Sequence, residues 1–400
     1  MIPELRSRFN QHWTPELYAG FLRGIDETSG THVGFRCSET PVFLPHELLD
    51  KMVRYGRELY GQLAQNTQYR AASEASIPAQ FKVPNEAEHP LFVQADFGLV
   101  RLADGRLEPK LVEIQGFPSL YAFQPALAEG YQRSYRLNEI TGEELTTFIG
   151  GLTKKSYREL LARVILGGHA PEQVILLEIE PYGQKTLADF LLTQKMLGIK
   201  IACISEVKKR GRKLYLQDVE IKRIYNRVIV DEVIRKNIQA DFQFSDDLDV
   251  EWAGYPNWFF RLSKFSLPWF DHPSVPETHF LSDLQRLPGD LENYVLKPLY
   301  SFAGLGVKIG PSREEIEAIP QAQRRDFILQ RKMDFVATVD TPRGMTKVET
   351  RIMYIWDGEL KPVTTVIRTG RGKMMGVDFN KNLDWVGASA AFTPVRDKES

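Results

Sequence analysis

Cysteine is scarce: Cys37 and Cys203 are the only two in 400 residues, and they stand far apart. They leave no disulfide framework and no C-x-x-C metal signature to build. A charge excess is missing too, since 51 lysines and arginines face 52 aspartates and glutamates, for a formal net charge of −1. A near-neutral chain has no overall field to draw in nucleic acid or an anionic membrane, so neither is an expected partner. No apolar run approaches the roughly 20 residues that span a bilayer. The segment from Met1 to Phe9 carries charges throughout and holds no apolar core of signal-peptide length. A reducing cytoplasm is therefore the expected compartment. Internal repeats and low-complexity tracts are absent as well.

What is present suits a chain of two or three packed domains, of mixed α+β and α/β class. Residues 1–89 read as helical and connecting. Pro45 fits a first helical turn, and Leu48, Met52, Tyr55, Leu59 and Leu63 then recur at helical spacing as a core-facing stripe. Residues 90–170 open with an extended run at 91–100, turn at Asp104-Gly105 and return at 110–115. That pattern predicts an antiparallel hairpin with carboxylates embedded in it, followed by helical sequence that packs on the core built further along. Residues 171–250 alternate a buried strand at 174–177, a helix at 186–197, a strand at 200–204, a hairpin and a strand at 221–225 leading into Asn226-Arg227. Such units favour a parallel sheet with right-handed crossovers. The basic run 208–213 reads as the solvated tip of that hairpin. Residues 251–400 alternate strands and turns around one short helix at 312–319, where Ser312 and Glu315 fit a capping box.

The most informative stretch is 294–307. An apolar strand delivers Lys297 into a greasy setting, Gly304 and Gly306 follow, and a second apolar run begins at Val307. A lysine so placed calls for an anion, and nearby glycines let backbone N–H groups approach it as phosphate loops do. A hairpin with a surface lysine is the plainer reading. Three more constellations fit a nucleotide site. Arg261 and Lys264 are one; the apolar strand 327–333 is another, ending in polar groups that include Gln330, Lys332 and Met333, suited to a purine edge. In the third, 349–355, Arg351 sits among apolar residues and needs a partner such as phosphate. Structural ion pairs would look the same. Polyphosphates bind with a divalent cation, and the oxygens of Asp96 and Glu113 on the predicted hairpin suit Mg²⁺. Asp378 and Asn380 are rival metal candidates whose plainer reading is a turn. The run 366–373, with Arg368 and Arg371 among glycines, reads as part of an active site or as an exposed turn.

Taken in order, these pieces resemble the ATP-grasp superfamily, in particular the circularly permuted branch of glutathionylspermidine synthase and eukaryotic glutathione synthetase. The resemblance covers about residues 90–310 in recognisable pieces and the remainder more loosely. The family's Arg-x-Asp-Phe, turn, Glu-x-Asn segment is matched by Gln94-Ala95-Asp96-Phe97 and Glu113-Ile114-Gln115. This implies Asp96, Glu113 and Gln115 as Mg²⁺ ligands. An Asn/Ser-Lys segment is matched by Ser263-Lys264, and a Val-x-Lys-Pro strand with a glycine loop by Val295-Leu296-Lys297-Pro298 and Gly304-Leu305-Gly306. This implies that Lys264 and Lys297 cradle ATP phosphates, with the loop from Ser301 to Gly306 closing over them. Gln330 with the backbone of Lys332 and Met333 would meet adenine. Arg351, Arg368 and Arg371 are the candidate catalytic arginines.

The fold so implied is a circularly permuted ATP-grasp, with a helical region at 1–89, the hairpin region at 90–170, a parallel-sheet pre-ATP-grasp-like domain at 171–250 and a nucleotide-binding domain at 251–400. The activity implied is that of an ATP-dependent carboxylate–amine ligase working through an acyl phosphate. Its cofactors would be ATP and Mg²⁺, and its substrates small-molecule or peptide carboxylates and amines. Two positions depart from the family pattern: Gln94 stands where the synthase has an arginine, and Gln115 replaces asparagine. The first keeps open a phosphotransferase or a non-catalytic nucleotide-binding module. Tyr131, Arg133, Tyr135 and Arg136 are acceptor-pocket candidates, or ordinary residues of a helix.

Overall fold

Two segments far apart in the chain interleave in one six-stranded sheet at the centre of the molecule. In this computed structural model, which describes residues 1–301, 304–372, 374–376, 380 and 382–396, the strands run in the order Gly387–Ser389, Leu360–Gly370, Thr346–Trp356, Phe92–Arg101, Leu107–Gln115. Ala337–Val339 pairs with the start of Thr346–Trp356 as the sixth strand. All these pairings are antiparallel. The predicted hairpin is there, joined to the core of the 251–400 region. It lies inside that core's sheet, because Thr346–Trp356 needs a ladder on both edges and takes Phe92–Arg101 on one of them.

The two faces of this sheet differ, as period-two alternation dictates. Val93, Ala95, Phe97, Val348, Ile352 and Tyr354 face the helix His46–Gln65, whose stripe Leu48, Met52, Tyr55, Leu59 and Leu63 is buried against them. Pro45 is the N-cap of that helix. The opposite face carries Asp96, Glu113, Arg351 and, across the next strand, Glu349 beside Arg368. A bulge between Asp96 and Phe97 pairs them with Glu113 and Leu111, which leaves Val112 as the extra residue.

A second sheet is wholly parallel, in the order Glu251–Ala253, Arg223–Asn226, Val174–Glu178, Lys200–Cys203. The helices Lys154–Leu166 and Leu187–Leu197 bury apolar faces against it. The strand expected at 221–225 is broken at Lys222. Val219–Ile221 closes a three-stranded meander with Val207–Arg210 and Lys213–Leu216, whereas Arg223–Asn226 enters the parallel sheet. Between them, the Lys222 N–H donates to the Gln173 carbonyl and its own carbonyl accepts from Glu251, so this residue bridges the change of sheet. The basic tip is a charge-matched surface, with Lys209 on Asp246 and Arg212 on Asp249.

A third sheet of four antiparallel strands, Thr278–Phe280, Phe327–Arg331, Tyr294–Pro298 and Lys308–Ile309, presents Lys297. The short helix Arg313–Glu317 has the expected capping box between Ser312 and Glu315. At the N-terminal end, Pro3–His12 and Pro15–Ser29 pack with Phe123–Tyr135 around Phe9, Phe21 and Tyr131. Among the described residues, no helix is long and apolar enough to cross a membrane.

Candidate functional site

The three sheets open onto one cavity of about 1360 Å³. That exceeds the roughly 300–1,000 Å³ of a common single-ligand site, so it has room for two ligands side by side. Its walls are the charged face of the central sheet, the lysine-bearing strand and its glycine loop, and the C-terminal ends of the parallel strands.

The charged face is an ion cluster in which every member is held by another. The Arg351 guanidinium donates to Asp96 through Nε at 2.5 Å and through Nη2 at 2.7 Å, and its Nη1 donates to Gln94 Oε1 at 2.9 Å. Arg368 bonds both Asp96 and Glu349. Glu113 lies 3.6 Å from Arg351 and 3.8 Å from Lys264. The Gln115 carboxamide stands against the same guanidinium; with its oxygen turned inward it accepts from Arg351 Nη2 at 2.7 Å. Burial alone would raise the Asp96 carboxyl, but Arg351 and Arg368 outweigh it and hold the group below its ordinary value. Burial pushes Glu349 up against the pull of Arg368.

Lys297 is 7% exposed and donates to Gln330 Oε1 at 2.6 Å and to the Val112 carbonyl at 3.2 Å. The bulge in the hairpin thus leaves Val112 out of the paired register and supplies a lysine acceptor. Burial, helped by the neighbouring positive charge of Lys264, lowers the Lys297 ammonium to about 8. Lys264 donates to the Ser301 carbonyl at 2.5 Å. Gly304 lines the cavity with φ of +76°, and Gly306 turns the chain with φ of +73°. Both sit in the left-handed region where a side chain is strained. Residues 302 and 303 of this loop lie outside the described residues. Around the described cluster, Lys264, Lys297, Arg351 and Arg368 face Asp96, Glu113 and Glu349, four cations against three carboxylates. An anion would complete the balance.

The remaining expected residues divide. Ser301, Lys332 and Met333 line the cavity. Gln330 lines it too, and its amide accepts from Lys297 and donates through Nε2 to Thr278 Oγ1 at 3.0 Å. The two side chains meet because Val295 pairs with Gln330 and Lys297 with Ile328, which makes Lys297 and Gln330 diagonal neighbours on one face. The Lys332 N–H already donates to the Asn293 carbonyl at 2.7 Å. Arg371 stands apart from the cavity, donating to Thr346 and Thr341 hydroxyls at 3.2 Å. Arg261 is spent on Glu86 at 2.8 Å and on Glu74. Tyr131 and Tyr135 are core residues whose hydroxyls donate to the Ser38 and Glu39 carbonyls, and Arg136 pairs with Glu139 on the surface. Arg133 donates to Thr28. Asp378, Phe379 and Lys373 lie outside the described residues.

The trio Asp96, Glu113 and Gln115 does not fit a divalent ion as it stands. Both Asp96 oxygens are engaged by guanidinium groups, and the carboxylate has no exposed surface. Among the described residues, no group of three or more His, Cys, Asp or Glu is arranged to hold a metal. The reason is that Arg351 lies in register with Asp96 on the adjoining strand, so the guanidinium reaches the hairpin oxygens directly.

The cavity is also lined by two residues that the sequence reading did not single out for chemistry. Arg227 follows the strand Arg223–Asn226 and is 3% exposed. Its guanidinium is sandwiched between Phe117 and Phe190, 5.2 and 5.3 Å from their ring centres, while Nε and Nη1 have no hydrogen-bond partner. Glu178 ends the neighbouring strand, and burial pushes its carboxyl up to about 8 despite Arg227. The carboxyl ends of parallel strands are where open α/β sheets receive ligands. Unsatisfied buried guanidinium N–H groups are costly unless a ligand takes them.

No protein-family model matches this chain, and no curated protein does. Among solved structures, an apo glutathione synthetase-like effector from Globodera pallida superposes with a TM-score of 0.58 at 13% identity, over 96% of this chain and 98% of that one. At that identity the likeness is one of fold. The chain has a mixed α/β, glutathione synthetase-like architecture.

Proposed function

We propose that this chain is an ATP-dependent ligase of the ATP-grasp type, joining a carboxylate to an amine through an acyl phosphate. The observation that carries the reading is one cavity, on a glutathione synthetase-like fold, lined by Lys264 and Lys297 from late in the chain and by the charged hairpin face from early in it. Excess positive charge around Lys264 and Lys297 and the orphaned guanidinium donors of Arg227 support two anionic ligands, a polyphosphate and a carboxylate.

On this reading Lys264 and Lys297 neutralise the phosphates of ATP, and Gly304 lets the backbone come close to them at the cavity wall. Arg368 and Arg351 offset the charge that spreads over the transferring phosphoryl group. Arg227 holds a carboxylate of the acid substrate through its planar fork. Holding both reactants in one cavity aligns the attacking oxygen with the γ-phosphorus. The cytoplasm, where ATP is plentiful, is the compartment this reading implies, and free Cys37 and Cys203 agree with a reducing one.

The test is a hydroxylamine trap. The chain is incubated with Mg²⁺, ATP and pools of amino acids, dicarboxylates and short peptides. ADP release with hydroxamate formation is expected for at least one pool. Absence of both across all pools would remove the ligase reading. A stable phosphorylated product formed without amine would instead favour phosphotransfer, the alternative that Gln94 in place of arginine keeps open.

A further inference from the structure

We infer that Arg351 is a built-in cation standing where the hairpin oxygens would otherwise gather a divalent ion, so that this cluster carries its own counter-charge and binds no metal by itself. Four oxygen-bearing side chains surround one guanidinium. Asp96 engages it with both oxygens, Gln94 accepts at 2.9 Å, Gln115 can accept at 2.7 Å, and Glu113 lies 3.6 Å away. Carboxylate and carboxamide oxygens converging on one point are the donor set of a hard cation. Here the point is filled by a planar group whose N–H donors meet the same oxygens.

The substitution is geometric. Asp96 pairs with Glu113 on one side and with Arg351 on the other, and Gln94 pairs with Gln115. All four side chains therefore lie on one face, and the arginine is held among them by strand register rather than by a mobile loop. Arg351 is 8% exposed. An incoming ion would have to evict a buried, bidentate guanidinium and leave it unpaired, which strongly disfavours entry. Arg368 bonds Asp96 as well, from the next strand. The sequence pairs this with a glutamine at position 94. A second guanidinium there would crowd Arg351, whereas a carboxamide accepts from it.

The experiment titrates Mn²⁺ alone, followed by electron paramagnetic resonance, so its outcome does not depend on whether ATP is a substrate. Wild type is expected to show no site with Kd below about 1 mM that Glu113→Gln abolishes. Arg351→Ala is expected to gain one site at least about tenfold tighter than any wild-type binding at this position, and Glu113→Gln in that background removes it. Arg351→Gln, which keeps a hydrogen-bonding side chain, serves if the alanine variant does not fold, with thermal melts as the check. A wild-type site lost in Glu113→Gln overturns the inference. So does a folded Arg351 variant that gains none. If neither variant folds, the wild-type and Glu113→Gln titrations decide.

Discussion

Arg351 and Asp96 are direct cross-strand partners, with Cα atoms in register and the guanidinium closed on both carboxylate oxygens. The pair is buried, so breaking it from one side leaves a charge uncompensated. Asp96→Asn is expected to cost about 3–5 kcal/mol in denaturant unfolding at neutral pH. The sign with pH follows from the lowered carboxyl. Its contribution is fully present above the ordinary aspartate value and is lost as pH falls through the folded one. The difference between wild type and variant should therefore shrink below about pH 4. A difference that stays constant down to the acid limb would count against the pairing.

Lys297 sets a second pH dependence. Burial lowers its ammonium to about 8. A bound polyphosphate stabilises the charged form, so binding above about pH 8 must take up a proton. Affinity for a non-hydrolysable ATP analogue should weaken between about pH 8 and 10, by up to tenfold per unit. Calorimetry in two buffers of different ionisation enthalpy reads the uptake directly. Flat affinity over that range would rule out a phosphate contact by Lys297.

Glu178 behaves in the opposite sense to Asp96. Burial raises its carboxyl from 4.5 to about 8, so ionisation works against the folded state. Its stabilising share is full below the ordinary value and is lost as pH climbs to about 8. Glu178→Gln removes that penalty and can still accept from the Ile179 N–H. The variant should be more stable than wild type by roughly 1–3 kcal/mol at pH 8 and nearly equal to it at about pH 4.5. Equal stability at both pH values would show that the carboxyl is not shifted.

Arg227 is expected to act on one substrate only. Arg227→Met retains the stack between Phe117 and Phe190 but loses every donor. Once an acid substrate is found, its KM should rise by at least about tenfold while ATP-analogue affinity changes less than about twofold. A purely structural arginine would lower stability and leave that ratio unmoved.

Gly56 tests the packing behind the charged face. A Cβ there would lie 2.1 Å from the Tyr354 hydroxyl, which donates to the Val53 carbonyl at 2.9 Å. Glycine to alanine inside a helix ordinarily gains about 1 kcal/mol. Here overpacking should reverse the sign, for a net loss of roughly 1–3 kcal/mol. Tyr354→Phe in the same background should recover part of it. A Gly56→Ala variant as stable as wild type would contradict the contact.

Local periodicity made much of the scaffold legible. The Leu48–Met52–Leu59 stripe, the Asp104-Gly105 turn and the Ser312–Glu315 cap are each set by residues within a few positions of one another. The cavity is different in kind. Arg351 meets Asp96 across 255 positions, and Lys297 meets Val112 across 185. No spacing rule reaches that far, so Arg351 read as a phosphate-seeking catalytic arginine and Asp96 as a metal ligand. Arg368 and Arg371 look alike in one run, yet one joins the cluster and the other bonds threonine hydroxyls away from it. Arg227 read as the end of a strand, although its place just past a buried parallel strand was the available clue. What singles it out, two phenylalanine rings and empty N–H donors, exists only once the chain has folded.

The interleaving of the central sheet also constrains how the protein is made. The strand Phe92–Arg101 leaves the ribosome long before its neighbour Thr346–Trp356 is translated. Until then one of its edges is bare and its apolar side chains await a covering layer, a hazard for strand-to-strand aggregation. Synthesis must therefore be nearly finished before this wall can close, which makes the nascent chain a natural client for a holdase chaperone.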